Sequence, residues 1–342
     1  MAKEISLKEL TPGDIILFSV PRQSKISILI GLITHSPVSH TGLVDRNPGY
    51  ALQEVEEGAS RRGLPEAGTR KLYIRRLKST PDTTKVVDIA KKYVAEDLPY
   101  PMSNLAFLGM YILASDFIPD TLGGEIVLNV LKLATYELMK LVNEKRHPGT
   151  DVPPMVCSQF AAACYDEAAL AYGPEYKIHY NEEVSTVASL LRRIIDQLAE
   201  EEEEKSYAVR EIKHEHLLNV PEDTDPYEYH CDRFADHLQQ REEKGLSAVP
   251  SKISDEIVSV LYQYGKNFLK LTGSTKEYPD KEEATADEIK AVLEELLRFQ
   301  EAFVTPGDLL SNTTNLEDMG ILTYTQDELD MYLERDATQG TD

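Results

Sequence analysis

Long apolar runs are missing from this chain. The most extended one, Leu105 to Ile118, is interrupted by Ser115 and Asp116 and falls short of the roughly 20 residues a membrane-spanning helix needs. The stretch Met1 to Leu10 carries Lys3, Glu4, Lys8 and Glu9, so it lacks the apolar centre of a secretory signal peptide. The expectation is a soluble, cytoplasmic protein without a transmembrane segment, signal-less secretion being left open. Cysteine is scarce as well. The three cysteines, at 157, 164 and 231, are odd in number and irregular in spacing, which argues against a disulfide framework and fits a reducing compartment. Positive charge is in deficit: 36 Lys and Arg face 59 Asp and Glu, a net charge of −23. So anionic a surface opposes association with nucleic acid and with anionic membranes, leaving no nucleic-acid partner. No internal repeat is present.

What the chain does have is enough material to bury a core. Its 342 residues, 42% of them apolar, suffice for one large domain or two ordinary ones. The stretch that organises the reading is Met155 to Ala168. Pro153 and Pro154 hold the chain extended ahead of it, because a residue before proline is pushed out of the helical region. From Ser158 onward alanines and apolar residues continue to Leu170, a helical composition. Cys157 therefore sits where an extended segment enters a helix. Free N–H groups and the partial positive charge of a helix start lower a thiol's pKa and stabilise a developing oxyanion. The alternative is a buried, inert cysteine, a common use of this residue. A nucleophile additionally needs a base and a group to orient that base.

Taken in order, Pro12-Gly13 makes a turn into a strand ending near Phe18, and Ser24 to Thr34 has helical apolar spacing. Ser39 to Asp45 is a strand opening on His40; Tyr50 to Val55 is its antiparallel neighbour, joined through the Asn47-Pro-Gly49 turn. A further strand covers Lys71 to Leu77, and a helix covers Thr84 to Ala95, ending near Leu98-Pro-Tyr-Pro101. Glu125 to Asn143 is amphipathic, read first as a helix packed on the core and second as a lid or lipid-facing helix. Helices are expected over about 182–205, 227–243, 251–271 and 284–302, with Glu200 to Glu204 as a solvated helix end. Met319 to Tyr324 reads as a strand, and the tail from Asp336 as disordered.

Eight histidines are available as a base. His40 has the best context, because neighbouring antiparallel strands present a histidine and a carboxylate on one face, and Glu54 lies on the adjacent strand. Gln53 takes the orienting place if the register slips by one residue. His35, in a turn before Ser36-Pro37, ranks second as a base. Cys164 reads as core. Cys231 with His214, His216, His230 and His237 lacks the paired spacing of a zinc site, so no metal and no cofactor are expected.

The ordered series Pro12-Gly-Asp-Ile-Ile-Leu-Phe18, Ser39-His-Thr-Gly-Leu-Val44, Leu52-Gln-Glu-Val55, Leu98-Pro-Tyr100 and Val156-Cys-Ser-Gln-Phe160 resembles the circularly permuted, papain-like branch of the NlpC-type cysteine hydrolases. These are enzymes of the YiiX/YaeF type, distantly similar to lecithin:retinol acyltransferase. In that branch the histidine strand precedes the cysteine helix, as here. The resemblance implies an α+β fold, an antiparallel sheet packed on the cysteine-bearing helix. It implies Cys157 as nucleophile, His40 as base and acid, and Glu54 as orienting carboxylate, with Asp14 and Tyr100 in support; Ser158 and Gln53 are counted as supporting residues beside them. It covers residues 11–170 and resumes at Val304 to Leu310 and Met319 to Leu322. The expected divisions are a catalytic core over 11–175, an acidic helical insertion over 180–302 and a returning segment over 303–335. The implied activity is cleavage of a peptide or acyl-amide bond through a thioester. A lipid-directed hydrolase or acyltransferase is the alternative, as is a non-catalytic protein that uses its helical insertion to bind a protein partner.

Overall fold

The computed structural model describes residues 3–21, 24–55, 58–78, 82–95, 109, 112, 121–144, 156–181, 189–201, 205–213, 220–221, 224–244, 252–271, 278–298 and 304–339. In chain order they form β1 (Glu4–Ser6), β2 (Ile15–Ser19), α1 (Lys25–Ile33), β3 (Val38–Val44), β4 (Tyr50–Val55), β5 (Gly58–Gly63), β6 (Leu72–Leu77) and α2 (Thr84–Ala95). There follow α3 (Thr121–Glu144), α4 (Cys157–Tyr172), α5 (Ser189–Ala199), β7 (Ser206–Ala208), α6 (Pro226–Glu243) and α7 (Asp255–Leu271). The chain closes with β8 (Glu283–Thr285), α8 (Ala286–Leu297), α9 (Pro306–Ser311), β9 (Leu316–Thr323) and α10 (Gln326–Gln339). The protein is mixed α+β.

The main sheet has the order β1-β9-β6-β2-β3-β4-β5, and β7 with β8 makes a separate ribbon. Neighbours in the main sheet run antiparallel except β1 and β9, which pair in parallel from Glu4↔Ile321 to Ser6↔Thr323. The sheet is thus mixed rather than purely antiparallel, because the first strand aligns with the last instead of closing a hairpin. β9 lies inside the sheet, between β1 and β6.

Alternation along the strands divides the sheet into two apolar faces. Ile15, Leu17, Leu43 and Leu52 pack with Val87 and Ala90 of α2 and with Phe160, Cys164 and Tyr165 of α4. Ile16, Phe18, Val44, Ala51, Leu72 and Ile74 turn the other way, covered by Leu329 with Tyr332 and Leu333 of α10. The expected disorder from Asp336 gives way to a helix reaching Gln339, because α10 has this apolar face to bury.

The helices build a third core. Leu29 and Ile33 of α1, and Val127, Val130, Leu131, Ala134 and Leu138 of α3, join Phe234 of α6, Leu261 and Tyr264 of α7 and Val292 of α8. The helical body therefore recruits α1 and α3 and is not confined to residues 180–302. Each such aliphatic side chain contributes about 1.5–3 kcal/mol on burial, so the amphipathic stripe of α3 serves the interior. Glu201, expected on a solvated run, instead accepts Lys205 at 2.9 Å and Lys252 at 2.7 Å. Those lysines and the Tyr207 hydroxyl hold its carboxyl down to about 2 against the opposing effect of burial.

Two bonds fix α4 against the turn before β2 and the segment before α9. The Tyr165 hydroxyl donates to Gly13 O at 2.7 Å, and the Ser158 hydroxyl donates to Val304 O at 2.7 Å. Gly13 has φ +88, and a Cβ there would stand 2.9 Å from Thr83 Cβ, so the turn into β2 requires glycine. At the start of α4, the Val156 N–H donates to Gln159 Oε1 at 3.0 Å. The helix therefore begins at Cys157.

Candidate active site

β3 and β4 pair only through Leu43↔Leu52 and Val44↔Ala51. Toward the start of β3 they diverge, and α4 aims its first residue at that opening. The backbone N–H groups of Thr41, Ser158 and Cys157 itself lie near the Cys157 sulfur. These donors favour thiolate, as a helix start should. Burial outweighs them. Cys157 is 8% exposed, and desolvation, with a smaller push from Glu54, raises the thiol to about 11. The lowered pKa anticipated from the helix start is not found: the resting group is a neutral thiol.

His40 stands next to Thr41 in the same strand, opposite Phe18 of β2. Its ring packs on the Phe18 ring with centroids 5.1 Å apart, and His40 Nε2 lies 2.6 Å from Gln53 Oε1. The imidazole partner is therefore Gln53 rather than Glu54. The reason is register. Extending the Leu43↔Leu52 pairing sets Gly42 opposite Gln53, so Gln53 shares the face of Gly42 and His40, whereas Glu54 shares the face of Thr41. A Cβ on Gly42 would lie 3.4 Å from Gln53 Cβ, which agrees with that pairing. With a carbonyl-type acceptor on Nε2, the proton is assigned to that nitrogen and Nδ1 is left as an acceptor. Burial, and then the charges of Arg70 and Arg62, lower the imidazole to about 4, so it is neutral at pH 7 and able to take a proton.

No hydrogen bond joins the His40 ring to the Cys157 sulfur among the described residues. What connects them is the backbone: the Thr41 N–H, on the amide formed with the His40 carbonyl, lies near the sulfur. Thiol and imidazole therefore meet the same peptide of β3 from two sides.

Glu54 is buried at 4% exposure, and its charge is felt by both Cys157 and Cys164. Desolvation raises its carboxyl to about 8, so it is protonated at neutral pH. The hydroxyls of Ser39 and Thr41, on either side of His40, are buried without hydrogen-bond partners among the described residues. They supply polar capacity at the opening that the fold leaves unused.

The supporting residues separate. Ser158 secures the start of α4 through Val304. Asp14 accepts Arg76 Nε at 2.7 Å and Nη2 at 2.6 Å and the Thr11 N–H at 2.8 Å, so it braces β2 against β6 rather than touching the site. Tyr100 lies outside the described residues. His35 occupies a turn with φ +46. Cys164 and Cys231 are free and buried, in the α4 and helical cores respectively. Among the described residues no group of three or more His, Cys, Asp or Glu side chains is placed to hold a metal ion. Arg70 and Thr41 are participants that sequence reasoning did not single out; nothing in Gly68-Thr-Arg-Lys71 marks the arginine.

Comparison with protein-family models and with curated proteins finds no match to this chain.

Proposed function

We propose that this protein is a cysteine hydrolase that cleaves an amide bond, in a peptide or an acyl-amide, through a thioester acyl-enzyme. In this reading the sheet and α4 form a papain-like core of the NlpC type in permuted order, with the histidine strand ahead of the cysteine helix. The observation that carries it is the His40–Gln53 pair at 2.6 Å, on the strand whose next residue, Thr41, turns a backbone N–H toward the Cys157 sulfur. An imidazole oriented by a side-chain amide and a thiol at a helix start are two parts that a thiol nucleophile needs.

The reaction begins from neutral partners. Cys157 attacks the carbonyl carbon as His40 Nδ1 takes the thiol proton, and Gln53 stabilises the resulting imidazolium through Nε2–H. That transfer requires the imidazole and the thiol, which meet β3 from two sides, to come within hydrogen-bond reach when substrate binds. Free N–H groups at the start of α4 stabilise the oxyanion. His40 returns the proton to the leaving amine, the C–N bond breaks and the thioester remains. Water, deprotonated by His40, hydrolyses it to a carboxylic acid and restores the thiol. Glu54 enters as a neutral carboxyl beside the sulfur and not as an anion behind the imidazole.

A second reading has its own observation. A thiol buried and raised to about 11 also suits a non-catalytic protein that keeps this fold for binding. A panel of peptide, acyl-amide and lipid ester substrates, tested on wild type and Cys157→Ala, decides between them. Hydrolysis by wild type alone supports the enzyme and identifies the substrate class. Equal inactivity of both toward every substrate, with no thiol probe reaching Cys157, supports the binding protein.

A further inference from the structure

Thr41 meets the nucleophile through its backbone: its N–H lies near the Cys157 sulfur. Its side chain turns the same way. Leu17 stands opposite Thr41 in the β2–β3 pairing, and directly opposed residues share a face of the sheet. Both Leu17 and Leu43, two positions along β3, pack in the core with Phe160 and Cys164 of α4. The Thr41 hydroxyl therefore projects toward α4, the helix that begins at Cys157. It is three bonds from its own amide nitrogen, which keeps the two atoms within about 4 Å of each other. Staggered rotation about Cα–Cβ thus carries the hydroxyl within reach of the atom that the N–H faces.

That hydroxyl is unused. Thr41 is 0% exposed, and its Oγ1 has no hydrogen-bond partner among the described residues. Buried hydroxyls elsewhere in the chain are satisfied: those of Thr83, Thr135, Ser158, Ser259 and Thr305 donate to oxygens at 2.6–2.7 Å. An unbonded buried hydroxyl destabilises a fold, and valine has the same shape and suits a strand at least as well. Packing therefore does not account for an oxygen at this position. The neighbouring sulfur does. A neutral thiol is a weak acceptor, and burial keeps Cys157 in that form. Once the sulfur carries negative charge it becomes a strong acceptor, because hydrogen bonds to ionised groups are shorter and stronger.

We infer that the Thr41 hydroxyl is a catalytic hydrogen-bond donor: idle against the resting thiol, it donates to the Cys157 sulfur as negative charge develops there. The inference rests on Cys157 being the nucleophile and adds a side-chain donor to the backbone N–H groups around it. The donor acts twice, as the thiol loses its proton to His40 and as the sulfur departs from the thioester. At each step the hydroxyl keeps its own proton, so His40 remains the group that takes and returns protons.

Alkylation tests this on the intact chain without a known substrate. Iodoacetamide reacts with the thiolate, the sulfur displacing iodide. Its rate at the Cys157 peptide is read by mass spectrometry at pH 7, where Glu54 and the resting thiol are both neutral. Thr41→Val keeps the shape and removes the donor, whereas Thr41→Ser keeps the donor. Losing a hydrogen bond to a charged group lowers the thiolate population by roughly 10-fold or more. Thr41→Val should therefore react about 10-fold more slowly than wild type, and Thr41→Ser within about 3-fold of it. Urea unfolding supplies a second readout. The midpoint of Thr41→Val should equal or exceed that of wild type, because no hydrogen bond of the resting protein is lost. A hydroxyl with a merely structural role would lower it.

Equal rates in wild type and Thr41→Val overturn the inference and leave the nucleophile standing. So does a slow Thr41→Val whose urea midpoint falls, since that marks a hydroxyl holding the fold. Should Thr41→Val fail to fold, Thr41→Ala and Thr41→Ser are compared in its place, and equal rates in that pair count against the inference. If iodoacetamide leaves Cys157 untouched in wild type and in every variant, the nucleophile reading falls and this inference with it.

Discussion

His40 Nε2 and Gln53 Oε1 lie 2.6 Å apart, on the face of the β3–β4 pair opposite to that of Glu54. This relationship makes the amide, not the carboxyl, the group that orients the imidazole. Gln53→Ala should lower kcat/KM by about 100-fold, the scale on which a misoriented general base loses its contribution. Glu54→Gln at pH 6 should lower it less than about 10-fold, since the wild-type carboxyl is already uncharged there. Steady-state kinetics of the two variants checks the assignment, and the reverse ranking would return the orienting role to Glu54.

Activity should have an acid limb and an alkaline limb. His40 must be neutral to accept the thiol proton and is lowered to about 4, so activity is lost as pH falls through that value. Glu54 ionises near pH 8, and its charge then pushes the Cys157 thiol further up. Activity therefore declines as pH rises through about 8. Glu54→Gln should abolish the alkaline limb and keep the acid one, as read from the pH profile of kcat/KM.

The same two groups govern stability with opposite signs. Glu54 binds its proton more tightly folded than unfolded, so its contribution is complete below 4.5 and is lost as pH rises toward about 8. His40 binds its proton less tightly folded, so stability falls as pH drops from 6.5 toward about 4. The effects oppose each other below 6.5 and leave Glu54 acting between 6.5 and 8. Urea midpoints of wild type should decline across that window, and those of Glu54→Gln should decline less.

Asp14, 2% exposed in its side chain, depends on Arg76. Arg76→Leu strands a buried carboxylate and should cost about 3 kcal/mol, while Asp14→Leu with Arg76→Leu should recover much of it. Denaturant unfolding of the three variants measures both. Because Asp14 braces the sheet, these changes should affect stability more than the rate per folded molecule.

Leu131 of α3 is fully buried in the helical core. Leu131→Ala should destabilise the protein by about 2–5 kcal/mol. A lipid-facing role for α3 would instead show as vesicle flotation weakened by that substitution.

The elements that carry strong local signals were legible in the sequence. The Pro12-Gly13 turn, the strands around Phe18, His40 and Leu52, the helix Thr84–Ala95 and the start of α4 at Cys157 all follow from turn residues, apolar period and helix composition. β5 was not legible, because Gly58-Ala-Ser-Arg-Arg-Gly63 is a polar edge strand without alternation. α10 was not legible, and its end from Asp336 reads as a disordered tail, since its few apolar residues acquire meaning only against the sheet face they cover. The choice between Gln53 and Glu54 turned on a register that differs by one residue and that no local pattern determines. The pKa of Cys157 was misjudged because burial, a property of the assembled chain, overrides the helix-start effect. Arg70 was invisible, since its meaning comes from Phe18 and His40, brought to it by the sheet.

The most direct test of the account is to trap the acyl-enzyme. Wild type, Cys157→Ala and His40→Ala are incubated with an activated acyl ester, quenched in acid and digested for mass spectrometry. The account predicts one acyl group on the Cys157 peptide of wild type, none on Cys157→Ala, and acylation slowed by about 100-fold or more in His40→Ala. An adduct that avoids Cys157, or one that forms at the same rate without the imidazole, would contradict it.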